Sequence, residues 1–184
     1  LNVTTFDLID SKFRDVLLWE LDSRGLDPSR VVIEIVESVF FDANSTQITQ
    51  ACQTLVKSGF ALSLDDFGTG HASALSLINL PLSIVKIDRA FAAGVAQDAR
   101  RKAMAKSLVG MANTVGLRTI AEGVDGEQDA AVFQKMGCQH FQSFSFGCPM
   151  SRDVLLALMV GRSIGECPTS ALPLKSGSHR SKSA

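Results

Sequence analysis

No apolar run in this 184-residue sequence is long enough to span a bilayer, so it holds no candidate transmembrane segment. Neither charge is in excess: 18 Lys and Arg stand against 19 Asp and Glu, for a formal net charge of -1. Bulk affinity for a nucleic-acid polymer or an anionic membrane surface therefore has no support. The four cysteines (Cys52, Cys138, Cys148 and Cys167) show neither a Cys-x-x-Cys pair nor zinc-ligand spacing. They read as reduced, mostly buried thiols, which implies a reducing compartment and a cytoplasmic location. Ser-His-Asp and Cys-His pairings are also missing. His71 falls in a loop, His140 near a strand and His179 in the tail, where ordinary structural histidines are expected.

What is present is a core. Hydrophobic residues make up 46% of the chain and the mean hydropathy is +0.18, enough for one sizeable domain. Short apolar runs alternate with amphipathic stretches. Strands are predicted at Leu1–Val3, Val31–Val36, Phe60–Leu64, Ser83–Ile87, Leu117–Ala121 and His140–Phe144. Helices are predicted from about Phe6 to Asp22, around Ile48–Leu55, at Ala74–Leu80, Asp98–Val115, Glu127–Met136 and Arg152–Val160. This βα alternation implies parallel strands joined by crossover helices. A (β/α) TIM-type barrel is preferred over an open doubly wound sheet, because polar residues recur at the C-terminal ends of many strands. A full barrel has about eight units, and fewer are seen. Since the chain starts at Leu1, inside a strand, it is expected to be an incomplete barrel whose first units lie upstream. The domain is expected to cover residues 1–163. From 164 to 184 the composition turns to Ser, Pro, Gly and Lys, with no acid after Glu166, and a disordered tail is expected.

The chemistry collects at the strand ends. Leu64-Asp65-Asp66-Phe67-Gly68-Thr69-Gly70 sets two adjacent carboxylates at the end of an apolar strand, ahead of a glycine-rich loop. Neighbouring carboxylates repel, so cations or hydrogen bonds must compensate them, a divalent metal most strongly. Glu34 lies inside Val31-Val32-Ile33-Glu34-Ile35-Val36, where burial of an unpaired carboxylate would cost several kcal/mol. An ion pair with a structural Arg or Lys is the alternative reading there. Asn2, Lys86 with Asp88, Glu122 with Asp125, and Gln142 complete the set of strand ends. Carboxylates and amides are ligands for hard cations such as Mg²⁺. Several together can hold two ions about 4 Å apart for in-line displacement at phosphorus. Lys86 could position a water or offset charge on phosphoryl oxygens.

These stretches resemble one family. Leu1-Asn2-Val3-Thr4, Glu34-Ile35-Val36-Glu37-Ser38, Asp65-Asp66-Phe67-Gly68-Thr69-Gly70, Val85-Lys86-Ile87-Asp88-Arg89-Ala90-Phe91, Ala121-Glu122-Gly123-Val124 and Phe141-Gln142 follow the order of the EAL domain of bacterial cyclic-di-GMP phosphodiesterases. The resemblance implies hydrolysis of one phosphodiester bond to give linear pGpG, with two Mg²⁺ or Mn²⁺ ions. It implies that Asn2, Glu34 and Asp65 hold one metal, and that Asp65, Asp66 and Glu122 hold a second or its water. Lys86, Glu122 and Asp66 would be catalytic, Gln142 and Asp88 would meet substrate, and Glu37 would anchor the loop after the Asp-Asp pair. It further implies a homodimer and a sensory or GGDEF-type domain upstream. The family's Glu-Ala-Leu strand, with a metal-binding glutamate, is not in this sequence and is expected upstream. Smaller departures are Asp125 for a glutamate, Gln142-Ser143-Phe144 for Gln-Gly-Tyr, and His71-Ala72-Ser73 for Tyr-Ser-Ser. They leave open a second reading, an inactive domain that binds cyclic-di-GMP or a protein partner as a receptor.

Overall fold

The computed structural model describes residues 1–36, 45–69 and 74–160. Glu37, His71 and the tail expected at 164–184 lie outside the described residues. The chain divides into one unit at Leu1–Phe146 and a second from Gly147 onward.

Six strands of the first unit form one sheet, each pairing in parallel with its neighbours in the order β1-β2-β3-β4-β5-β6. They are β1 (Asn2–Val3), β2 (Val32–Val36), β3 (Ala61–Phe67), β4 (Ile84–Ile87), β5 (Arg118–Glu122) and β6 (His140–Gln142). Spatial order equals sequence order throughout. A doubly wound sheet must reverse its order at a switch point, whereas a barrel wall never does. The sheet is thus an arc of (β/α) barrel type, with β1 and β6 as its edges among the described residues.

The helices are α1 (Thr5–Ile9), α2 (Phe13–Asp22), α3 (Ser45–Lys57), α4 (Ala74–Asn79), α5 (Arg89–Ala92), α6 (Ala99–Thr114) and α7 (Glu127–Lys135). The single helix expected from Phe6 to Asp22 is two. Thr4 opens α1 with a capping box to Asp7, and Asp10 closes it in extended backbone, its carboxylate accepting from the Lys12 N–H at 2.9 Å. That local bond competes with the helix ladder and breaks it. The short α5 was not expected; Asp88 caps it, Oδ1 accepting from the Ala90 N–H at 2.7 Å.

Side chains alternate across each strand. Ile33 and Ile35, Leu62 and Leu64, Val85 and Ile87, and Ala121 point into the helix layer and are fully buried. The core runs as two clusters, one around α1 to α3 with Ile48 and Cys52, the other around α5 to α7 with Val109 and Phe133. Glu34, Asp65, Lys86 and Glu122 occupy the opposite face, so the same alternation that builds the core delivers the site.

Cys52 and Cys138 are free and buried, as expected of reduced thiols. Cys148 departs from that expectation. It lies in the irregular stretch after Phe146, only half-buried, and is disulfide-bonded. In the second unit α8 (Arg152–Met159) is capped by Ser151, whose Oγ accepts from the Val154 N–H at 3.4 Å. No described helix is long and apolar enough to cross a membrane.

Candidate active site

The site begins with an irregularity in β3. Leu64 pairs with Val85 and Phe67 with Ile87, so β3 uses one more residue than β4 over the same span. This bulge sits at the Asp-Asp pair. Asp66 takes φ 56, and among the described residues it is the one non-glycine at positive φ. Asp tolerates that region better than most residues. Strict alternation would send Asp66 to the helix side. The extra residue returns Phe67 to the core instead, and both carboxylates stay at the mouth of the sheet. Bulges of this kind re-aim side chains next to active sites.

Carboxylate oxygens of Asp65, Asp66 and Glu122 all lie within 4.8 Å of one another. Lys86 is 5% exposed. Its Nζ meets Glu122 Oε1 at 2.6 Å, Asp65 Oδ1 at 3.1 Å and Glu34 Oε2 at 3.3 Å. The Glu122 contact is short but lacks hydrogen-bond alignment, and Oε1 is buried with no hydrogen-bond partner among the described residues. Burial alone would pull the Lys86 ammonium down; the Glu122 and Asp65 carboxylates outweigh it and hold it above the usual lysine value. Burial pushes Glu122 up, against Lys86, with Asp65 and Asp66 adding to the rise. Burial pushes Asp66 up too, helped by Asp65 and Asp88.

The remaining expected residues flank this centre. Asn2 is the register partner of Glu34, and Gln142 that of Glu122. The Gly123 N–H donates to the Gln142 carbonyl at 2.7 Å, joining the ends of β5 and β6. Asp88 spends one oxygen on its helix cap. Glu37, expected to anchor the following loop, lies outside the described residues. Three residues escaped the sequence reading. Ser63, register partner of Glu34, is 1% exposed, and its Oγ has no hydrogen-bond partner among the described residues; its signal was a serine between Leu62 and Leu64. Arg89 fills the space a Cβ on Gly123 would need, its Cγ 2.3 Å from that position, and reaches Asp125 at 3.8 Å. Asp129 stands in the first turn of α7 and is buried.

Gly68 ends the bulged strand at φ +101, where a Cβ would come 2.7 Å from the Phe91 ring and 3.0 Å from Leu108. Gly68→Ala combines backbone strain with overpacking and is expected to cost about 3 kcal/mol, seen as a lower urea midpoint.

Chemically the centre is an all-oxygen donor set. Four carboxylates (Glu34, Asp65, Asp66 and Glu122) face one ammonium, and three of them already converge. A hard divalent cation fits such a set, in which four carboxylates outnumber the one ammonium.

Known proteins resemble this chain in sequence and in fold. The family model described as "EAL domain" matches residues 1–149. The bifunctional diguanylate cyclase/cyclic di-GMP phosphodiesterase MucR of Pseudomonas aeruginosa is 36% identical over 151 residues, 82% of this chain and 21% of MucR. This chain therefore spans about a fifth of that relative's length. Among solved structures, the PaMucR phosphodiesterase in complex with c-di-GMP matches with a TM-score of 0.76 at 31% identity, covering 84% of this chain and 68% of that one. The EAL domain of Mycobacterium smegmatis DcpA matches at 0.81 and 27% identity, covering 89% and 73%. With the family model running through every strand from β1 to β6, the chain belongs to the EAL domain family.

Proposed function

We propose that the strand-end cluster is part of a metal-dependent phosphodiesterase site that hydrolyses cyclic-di-GMP to pGpG. The carrying observation is the convergence of Glu34, Asp65 and Glu122 on Lys86, with Asp66 beside them, in a chain of the EAL domain family. The c-di-GMP complex of PaMucR supports the choice of substrate.

Glu34, Asp65, Asp66 and Glu122, with the Asn2 amide, would hold two Mg²⁺ or Mn²⁺ ions. Bound there, the ions supply Lewis acidity to the attacking water and to the departing ribose oxygen. Lys86 orients that water and offsets negative charge building on the phosphoryl oxygens. Asp66 and Glu122, whose affinity for protons is raised, flank the same point. Gln142 and Asp88 would meet the nucleotide, and Glu37 would brace the loop after the Asp65–Asp66 pair. Water adds to phosphorus, the bond to one ribose oxygen breaks, and that oxygen leaves with a proton. In this reading the EAL domain runs to about residue 163 of a cytoplasmic protein and pairs with a second copy.

The test is nucleotide chromatography of cyclic-di-GMP incubated with Mg²⁺ and the chain, beside a version extended upstream through a Glu-Ala-Leu strand. Conversion to pGpG, stopped by a chelator and restored by Mg²⁺, is expected from the extended protein. Retention of intact cyclic-di-GMP by both, without turnover, would replace this reading with that of a receptor.

A further inference from the structure

Asp129 is a buried acid that none of the chemistry above uses. It is 4% exposed, and no Lys, Arg or His pairs with it among the described residues. Its two oxygens accept instead from main-chain amides: Oδ2 from the Gly94 N–H and Oδ1 from the Ala96 N–H, both at 2.8 Å. Those amides belong to the turn between α5 and α6. Arg101 of α6 donates to the Ala93 carbonyl of the same turn, and Val95 within it is fully buried. Gln97 donates to Gln128 at 3.2 Å, next to the Asp129 anchor.

The location gives this anchor a consequence. Gly94 follows Lys86 by way of β4 and the short α5, and Asp129 follows Glu122 by way of Gly123 and the first turn of α7. Two short chain segments therefore form a closed ring. One end is closed by the Lys86–Glu122 contact at 2.6 Å, the other by the two bonds to Asp129. Arg89 is the crossbar, lying over Gly123 and reaching Asp125. Opening the far end frees α5 to shift, and α5 begins directly behind Lys86 and Asp88.

We infer that Asp129 is a positioning residue that holds the Lys86 ammonium against Glu122 by anchoring the α5–α6 turn to α7. Its functional meaning rests on the proposed role of Lys86 and Glu122, but the geometry it predicts does not. Asp129 touches no reacting group and acts through the ring. A displacement on the order of 1 Å at the Lys86 end is enough to impair positioning, and such misplacement can lower a rate about 10²-fold.

The experiment reads the ammonium itself, without metal or nucleotide. In the ¹⁵N-lysine-labelled chain, the Lys86 Nζ–H signal is assigned by its loss in Lys86→Met, and its exchange with solvent is measured. Slow exchange is expected in the parent chain, and exchange faster by about tenfold or more in Asp129→Ala, with the backbone spectrum still that of a folded protein. Asp129→Asn keeps an acceptor oxygen and is expected to fall between the two; it also serves if Asp129→Ala does not fold. Unchanged Lys86 exchange in a folded Asp129 variant overturns the inference, as does a Lys86 ammonium already in fast exchange in the parent. Because no turnover is read, a failure here is distinct from a failure of the phosphodiesterase reading.

Discussion

Replacing Lys86 by methionine is expected to lower cyclic-di-GMP turnover by about 10²- to 10³-fold while leaving a chain that unfolds more easily without metal. Methionine nearly matches the lysine stem in length, so packing is preserved and the change is one of charge. In the metal-free chain that charge is the shared partner of Glu34, Asp65 and Glu122. Removing one member of a buried ionic group strands the others, at a typical cost of about 3–5 kcal/mol. The loss should appear as a lower urea midpoint in chelator. Part of it should return with Mg²⁺, because a bound cation replaces the missing counter-charge. Turnover within a few-fold of the parent would remove Lys86 from the mechanism.

Asp65→Asn separates catalysis from stability in the opposite direction. Asp65 belongs to the convergent carboxylates and also touches Lys86. Its amide would remain an acceptor for the Asp66 N–H, now at 3.1 Å from Oδ1, so the bulge keeps its local bond. Turnover is nevertheless expected to fall on the order of 10³-fold, since a charged donor is lost from the point where charge develops. In chelator this variant should be no less stable than the parent, because one of four mutually repelling carboxylates is neutralised. The pair of variants thus predicts a lower metal-free urea midpoint for Lys86→Met alone and a large fall in rate for both. Equal destabilisation by both would mean that the cluster is a structural ion-pair network.

The barrel-type alternation was legible because its signals are local. Apolar runs, Gly stops and carboxylates inside strands such as Glu34 can be read one segment at a time. The break at Asp10 was also local, yet one amphipathic stretch from about Phe6 to Asp22 concealed it. What stayed hidden depends on pairing between distant segments. The bulge at Asp65–Asp66 exists only relative to β4, so the expected strand stopped at Leu64 when it runs to Phe67. Asp129 looks like any acid in a first helical turn, and its burial is set by a turn that comes from another βα unit. The residue types of the candidate site were therefore readable, while the bulge at Asp65–Asp66 and the anchor at Asp129 were not.

The nearest-neighbour strand order has a kinetic consequence. The charged groups of the centre arrive on four different strands, with only Asp65 and Asp66 sharing one, and Lys86 and Glu34 lie 52 residues apart in the chain. No local segment of a folding chain contains a usable cation site; it comes into being only after β2, β3, β4 and β5 have docked in turn. Such non-local pairings form late and slowly. A divalent ion can therefore do little to start folding, and its stabilisation falls on the reverse reaction, as a brake on unfolding.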